Sequence, residues 1–191
     1  QSDRAANIPE FVNAEASAIR KIREEFLDDY SYVRAGNEFF KAGDTDSAIE
    51  EYRNALKLNP SNATAHRQLG FLFYNAKSMY KEGMEHYRKA MESDPNDPRI
   101  HHDLGMALLH QRQSDLAAGH LQAALRGMPI GLDKQYNLPN MWRSLGEAML
   151  GKGDFEQAEL NLSEAVRIDP NSAKPRYLLA GALAQRWKLE Q

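Results

Sequence analysis

A helix-ending signal that recurs along the chain constrains it more than any other feature. The segments LKLNP (56–60), MESDP (91–95) and VRIDP (166–170), with Met128-Pro129, end in Pro60, Pro95, Pro129 and Pro170, spaced 35, 34 and 41 residues apart. Periods of this size belong to repeat architectures. Upstream of each proline lies a second shared signal, Ala35-Gly36, Leu69-Gly70, Leu104-Gly105 and Leu145-Gly146, followed by Phe39, Phe73, Leu108 and Met149. Between the two signals sits a small position, Ala48, Gly83, Ala117 and Ala158. It is followed by Tyr52, Tyr87, Leu121 and Leu162, and then by Ala55, Ala90, Ala124 and Ala165.

Spacings of three, four and seven are the period of a helix, not of a strand. A glycine inside a helix costs about 1 kcal/mol relative to alanine. Its return at Gly36, Gly70, Gly105 and Gly146 therefore needs a compensating gain, and close approach of a neighbouring helix supplies one. The proline at the end of each unit cannot continue a helix. Asp44, Ser114 and Asp154 fall in the turns between paired helices, where their side chains can cap the second helix. The expectation is an all-α chain of antiparallel helix pairs.

This order of aromatic, Leu-Gly, large, Ala, large and Pro resembles the tetratricopeptide repeat. The fourth copy matches nearly in full: Trp142, Leu145, Gly146, Met149, Gly153-Asp154-Phe155, Ala158, Leu162, Ala165 and Pro170. The copies run over 29–62, 63–97, 98–131 and 139–172. His66 and His101 replace the aromatic of copies two and three, copy two holds an extra residue near Lys77 to Met79, and residues 132–138 are inserted before copy four. The resemblance implies an α-solenoid wound as a right-handed superhelix.

Such a stack exposes apolar surface at its ends and needs caps. Residues 173–191 read as a closing helix, with Tyr177, Leu179, Ala180, Leu183 and Trp187 at helical spacing. Residues 1–28 place Val12, Ala16, Ile19, Ile22 and Phe26 on an amphipathic stripe that caps copy one or, alternatively, forms a homodimer contact. The inserted LDKQYNL is a surface loop, or a contact through Tyr136. A start at Gln1 reads as a processed or trimmed chain. A cytoplasmic site, and a periplasmic one with a signal peptide or lipid anchor removed, both stay open.

Lys and Arg total 24 against 27 for Asp and Glu, a formal charge of -3, which offers nucleic acid no general attraction. No apolar run approaches the roughly 18 residues of a spanning helix. Without cysteine, thiolate zinc sites and thiol nucleophiles are excluded. Of the six histidines, His66, His86, His101 and His120 fall in packing slots of the repeat frame, and none shows His-Glu-x-x-His spacing, so no metal or cofactor is expected. Gly151-Lys152-Gly153-Asp154 follows a helix and lacks phosphate-loop spacing, so it reads as a turn. No catalytic set emerges, and the chain reads as a non-enzyme.

Function is then expected on the concave face that the resemblance implies, lined by the first helix of each pair. The frame places Tyr30, Val33, Asn37 and Phe40 there from copy one, and Arg67, Phe71 and Tyr74 from copy two. Copy three gives Arg99, His102, Met106 and Leu109, copy four Arg143, Glu147 and Leu150, and Tyr177 extends the row. Aromatic and Met anchors with three interspersed Arg suit a protein or peptide partner that brings apolar groups and some acidic ones. The carboxylate clamp used by some co-chaperones is a poor match, because the corresponding slots read Val33, Asn37, Gln68, Arg99 and Asp103. The leading expectation is a scaffold or adaptor that binds a peptide or helical segment. The alternatives are an assembly factor of a bacterial envelope, secretion or pilus complex, and a regulatory module of a larger protein.

Overall fold

A computed structural model describes residues 28–128, 138–189 and 191. These residues form an all-α helical-repeat solenoid with no strand among them. The helices are α1 (Asp29–Lys41), α2 (Thr45–Leu58), α3 (Ala63–Phe71, continued by a π-helical turn Leu72–Ala76), α4 (Tyr80–Ser93), α5 (Pro98–His110), α6 (Ser114–Arg126), α7 (Leu138–Lys152), α8 (Phe155–Ile168) and α9 (Ala173–Leu189). Two compact units divide between Ala65 and His66, near the start of α3. The expected N-terminal cap, its homodimer contact, and most of the 132–138 insertion with Tyr136 lie outside the described residues. Leu138, the last inserted residue, is the first residue of α7.

Helix starts follow the acidic caps. Asp28, Asp44, Asp97 and Asp154 accept from the backbone N–H of Ser31, Ser47, Arg99 and Gln157, which satisfies a donor that the first turn leaves unpaired. Ser114 departs from expectation, because it is the first residue of α6 and not its cap. Gln113 holds the cap position and makes no side-chain cap bond. Gly151 and Lys152 end α7, and the turn expected there falls on Gly153, in the left-handed region at φ +78, and on Asp154, the cap of α8. Helix ends are equally regular. Asn59, Asp94 and Asp169, each followed by a proline, leave the helical region while donating to the carbonyls of Ala55, Ala90 and Ala165. Proline sterically pushes the residue before it out of the α region, so a single sequence feature ends three helices the same way.

Each repeated glycine is a notch filled by a large side chain of the following helix. A Cβ on Gly36 would lie 2.6 Å from the Tyr52 ring, and one on Gly70 2.7 Å from the Tyr87 ring. On Gly105 and Gly146 it would lie 2.7 and 2.5 Å from Cγ of Leu121 and Leu162. All four partners are fully buried, so none can swing aside. In the second unit these notches feed a continuous core that includes Tyr74, Tyr87, Leu104, Leu121, Leu145 and Leu162.

The extra residue of copy two is absorbed by the π-helical turn. The Lys77 N–H donates to the Leu72 carbonyl at 3.0 Å and the Met79 N–H to that of Phe73 at 2.8 Å, and Ser78 takes a left-handed φ of 54. One consequence falls on Gly83, the only glycine in a slot that holds alanine in the other copies. A Cβ there would meet Tyr74 Cβ at 2.8 Å, the Tyr74 backbone nitrogen at 2.9 Å and the Gly70 carbonyl oxygen at 3.0 Å. Backbone cannot rotate away. Gly83→Ala should therefore cost about 2 kcal/mol through overpacking, despite the gain in helix propensity. Gly119→Ala, where nothing lies within 4 Å, should be neutral or stabilising by up to about 1 kcal/mol. Urea denaturation followed by circular dichroism compares the two, and equal midpoints would contradict the crowding argument.

Candidate functional site

The first helix of each pair carries three sequence rows defined by distance from the repeated glycine. Three residues before it stand Val33, Arg67, His102 and Arg143. One residue after it stand Asn37, Phe71, Met106 and Glu147, and four after it Phe40, Tyr74, Leu109 and Leu150. Tyr30 and Arg99 occupy a further row six residues before. In the first unit Tyr30 is well exposed and Phe40 half-exposed, and Asn37 accepts the Tyr52 hydroxyl at 2.7 Å. Val33 is buried, so it serves the core and presents no side chain to a ligand.

Within the second unit the rows converge on two recesses. The first, about 370 Å³, brings together the expected Phe71, Tyr74, His102 and Met106 with Tyr80 and His110. Tyr74 is almost wholly buried. Its hydroxyl donates to the Ala107 carbonyl at 2.9 Å and lies 3.1 Å from His110 Nδ1, so it forms a wall and does not act as a mobile anchor. The second recess, about 650 Å³, gathers Met106, Leu109, Glu147 and Leu150 with Arg112, Lys174 and Leu178. Met106 lines both.

Tyr177, expected to extend the row, lines a further recess with Leu150 and Leu178. It lies 35 residues beyond Trp142 and fills that slot, while Leu178 takes the slot of Arg143 and lines the second recess.

The three arginines expected to meet a ligand's acidic groups are each neutralised internally. Arg67 pairs with Asp103 at 2.8 Å, with the side chains only 16% and 15% exposed. Arg143 pairs with Glu147, which Lys174 also reaches at 3.0 Å. Arg99 pairs with Asp97 at 2.6 Å. Burial works to raise the Asp97 carboxyl, but hydrogen bonds and charge from Arg99 outweigh it and hold the carboxyl below the usual carboxylate value. Removing one partner of a buried pair leaves the other charge uncompensated. Arg67 and Arg143 therefore brace Asp103 and Glu147, which line the two recesses, whereas Arg99 is 44% exposed and lines neither. Burial also leaves Arg67 Nε and His102 Nε2 without a hydrogen-bond partner.

The histidines assigned to packing slots form two matching pairs that no single-residue reading would reveal. His66 Nδ1 lies 2.9 Å from His86 Nδ1, and His101 Nδ1 lies 3.0 Å from His120 Nδ1. His101 Nε2 is 3.0 Å from the Pro95 carbonyl oxygen. A carbonyl only accepts, so His101 carries its proton on Nε2, and its Nδ1 accepts from the His120 Nδ1–H. In copies two and three the first helix of the pair is thus latched to the second by facing imidazoles. The signal was present in the sequence, since only copies with His in the aromatic slot also place His one residue before Tyr87 or Leu121.

Burial first, and the neighbouring His101 second, lower the His120 pKa below its ordinary 6.5. The unfolded chain therefore takes up this proton before the folded one does as pH falls. The stability that His120 contributes is intact above pH 6.5 and is lost progressively as pH drops toward the lower folded value. Urea midpoints should fall between pH 7 and pH 5.5, and His120→Gln should flatten that dependence. An unchanged slope would contradict the latch.

Among the described residues no group of three or more His, Cys, Asp or Glu side chains could hold a metal ion. No described helix is long and apolar enough to cross a membrane.

Residues 36–77 match a family described as TPR repeat, and residues 86–118 one described as tetratricopeptide repeat. The chain is 24% identical over 175 residues to a TPR repeat-containing protein of Methanocaldococcus jannaschii, covering 84% of this chain and 28% of that one. It thus spans under a third of that relative's length. Among solved structures, PilF of Pseudomonas aeruginosa is 25% identical with a TM-score of 0.70, over 84% of this chain and 69% of that one. YrrB, described as a TPR protein with an unusual peptide-binding site, is also 25% identical with a TM-score of 0.70, over 88% of this chain and 84% of that one.

Proposed function

The chain is a tetratricopeptide-repeat protein with the fold of a protein–protein interaction module, and from that premise we propose that it is a non-catalytic adaptor holding a partner's peptide or helical segment against the first helices of its pairs. Residues 29–62, 63–97, 98–131 and 139–172 are the repeat units in this reading. The carrying observation is the pair of adjoining recesses bridged by Met106, lined by Phe71, Tyr80, Leu109, Leu150 and Leu178. Methionine and aromatic side chains adapt to apolar anchors of varied shape. The description of YrrB as peptide-binding supports the same use of the fold.

The internal pairing of Arg67, Arg99 and Arg143 changes the expected ligand. With their charges already met, an acidic peptide gains little from them, and selection rests on apolar side chains spaced to enter two neighbouring recesses. The formal charge of -3 gives no support to a nucleic-acid ligand.

Peptide display against the 191-residue chain tests the proposal. Enriched sequences should carry two large apolar residues and no acidic signature. Met106→Glu should weaken the best binder at least tenfold, about 1.4 kcal/mol, with melting unchanged because Met106 is partly exposed. Failure to enrich any peptide, or binding indifferent to Met106→Glu, would overturn the reading.

A further inference from the structure

The turn inside the third helix pair departs from its equivalents in a way that costs stability. In every copy one residue of this turn is left-handed: Gly43 at φ 82, Ser78 at 54, Arg112 at 60 and Gly153 at 78. Gly43, Arg112 and Gly153 stand seven residues after the notch glycine, and Ser78 stands eight after it because copy two holds the extra residue. In this conformation a Cβ crowds the following carbonyl, so glycine is the expected occupant and an arginine is strained. The next position departs as well. Asp44 and Asp154 follow the two glycines and cap the second helix, whereas Gln113 follows Arg112 and makes no side-chain cap bond. Copy three thus forgoes both stabilising residues of the turn.

Backbone strain of this kind clusters at ligand-binding sites. Arg112 lines the recess of about 650 Å³ that Met106, Leu109, Leu150 and Leu178 also line. Its side chain is exposed, and among the described residues no carboxylate pairs with it. Two nearby acids are engaged elsewhere: Asp115 meets Lys152 at 3.3 Å, and Glu147 meets Arg143 and Lys174. An aspartate at position 113, as in the turns of copies one and four, would set a carboxylate beside Arg112. Glutamine leaves the cation unneutralised. We propose that Arg112 is an affinity-determining contact of the groove, its guanidinium donating to main-chain carbonyl oxygens of the segment whose apolar side chain fills this recess. This role rests on the groove-binding reading above and supplies the polar contact which that reading lacks. Arginine suits it, because a planar fork of five N–H donors spans adjacent acceptors. A neutral carbonyl is favoured over a carboxylate, since Glu147 lines the same recess and a second carboxylate there would meet like-charge repulsion.

Peptides selected by display against the 191-residue chain, then synthesised with an amidated C-terminus, serve as probes. Arg112→Gly, which restores the residue of copies one and four, should raise the urea midpoint and yet weaken peptide binding about tenfold, the loss of one charge-assisted hydrogen bond. A merely structural residue would not move stability and affinity in opposite directions. Arg112→Asn, a residue that tolerates the left-handed region, stands in if the glycine variant folds poorly. A lowered or unchanged midpoint for Arg112→Gly would remove the strain on which the role rests. Affinity indifferent to both variants but still sensitive to Met106→Glu would overturn the role of Arg112 and leave groove binding in place, whereas failure to select any peptide would overturn both. Selected peptides that carry an acidic residue, and that lose their dependence on Arg112 when its amide replaces it, would overturn the main-chain contact by making a side-chain carboxylate the occupant.

Discussion

Everything in this structure depends on a large side chain seated where a helix lacks a Cβ. Helix pairs could pack at ordinary separations through leucine alone, but then neither the alanine faces nor the glycines would be needed. With glycine in the first helix and Tyr52, Tyr87, Leu121 or Leu162 in the second, the two backbones approach closely, and each pair becomes a unit with a fixed geometry. Overpacking makes that geometry intolerant of even one methyl group. The constraint also propagates along the chain. In copy two an extra residue forces a π-helical turn, the turn moves the Tyr74 backbone onto the next helix, and alanine gives way to glycine at position 83.

The fold was largely legible because its determinants are local and repeated. Four aspartates cap helices, prolines expel the preceding residue from the α region, and the small-large-small order fixes which faces meet. One reading went astray for a physical reason. Ser114 was taken as a cap, although the turn before α6 bends through Arg112 in a left-handed conformation and sets Gln113 at the boundary.

The candidate site was legible in register but not in depth. Row membership followed from the period, yet whether a side chain reaches solvent depends on its neighbours across the groove. Val33, Arg67, His102 and Arg143 share one row, and all are recessed, because that row faces inward between helices. Pairing across repeats was also hidden: Arg67 and Asp103 are 36 residues apart and no local pattern links them. The histidine pairs were better signposted, because the two histidine slots change together from copy to copy. What emerges is a surface on which Arg67 and Arg143 are paired within the chain and whose recesses are lined largely by apolar and aromatic side chains.

A double-mutant cycle at one notch tests the central claim most directly. Gly105→Ala, Leu121→Ala and the combined variant would be compared by urea denaturation of the 191-residue chain. If the glycine exists to admit the leucine, each single substitution destabilises, and the alanine at 105 becomes harmless or favourable once Leu121 is truncated. The expected coupling is about 1–2 kcal/mol, within the range for residues in contact. Strictly additive losses would show that glycine and leucine contribute independently, and would contradict the packing on which the whole stack is built.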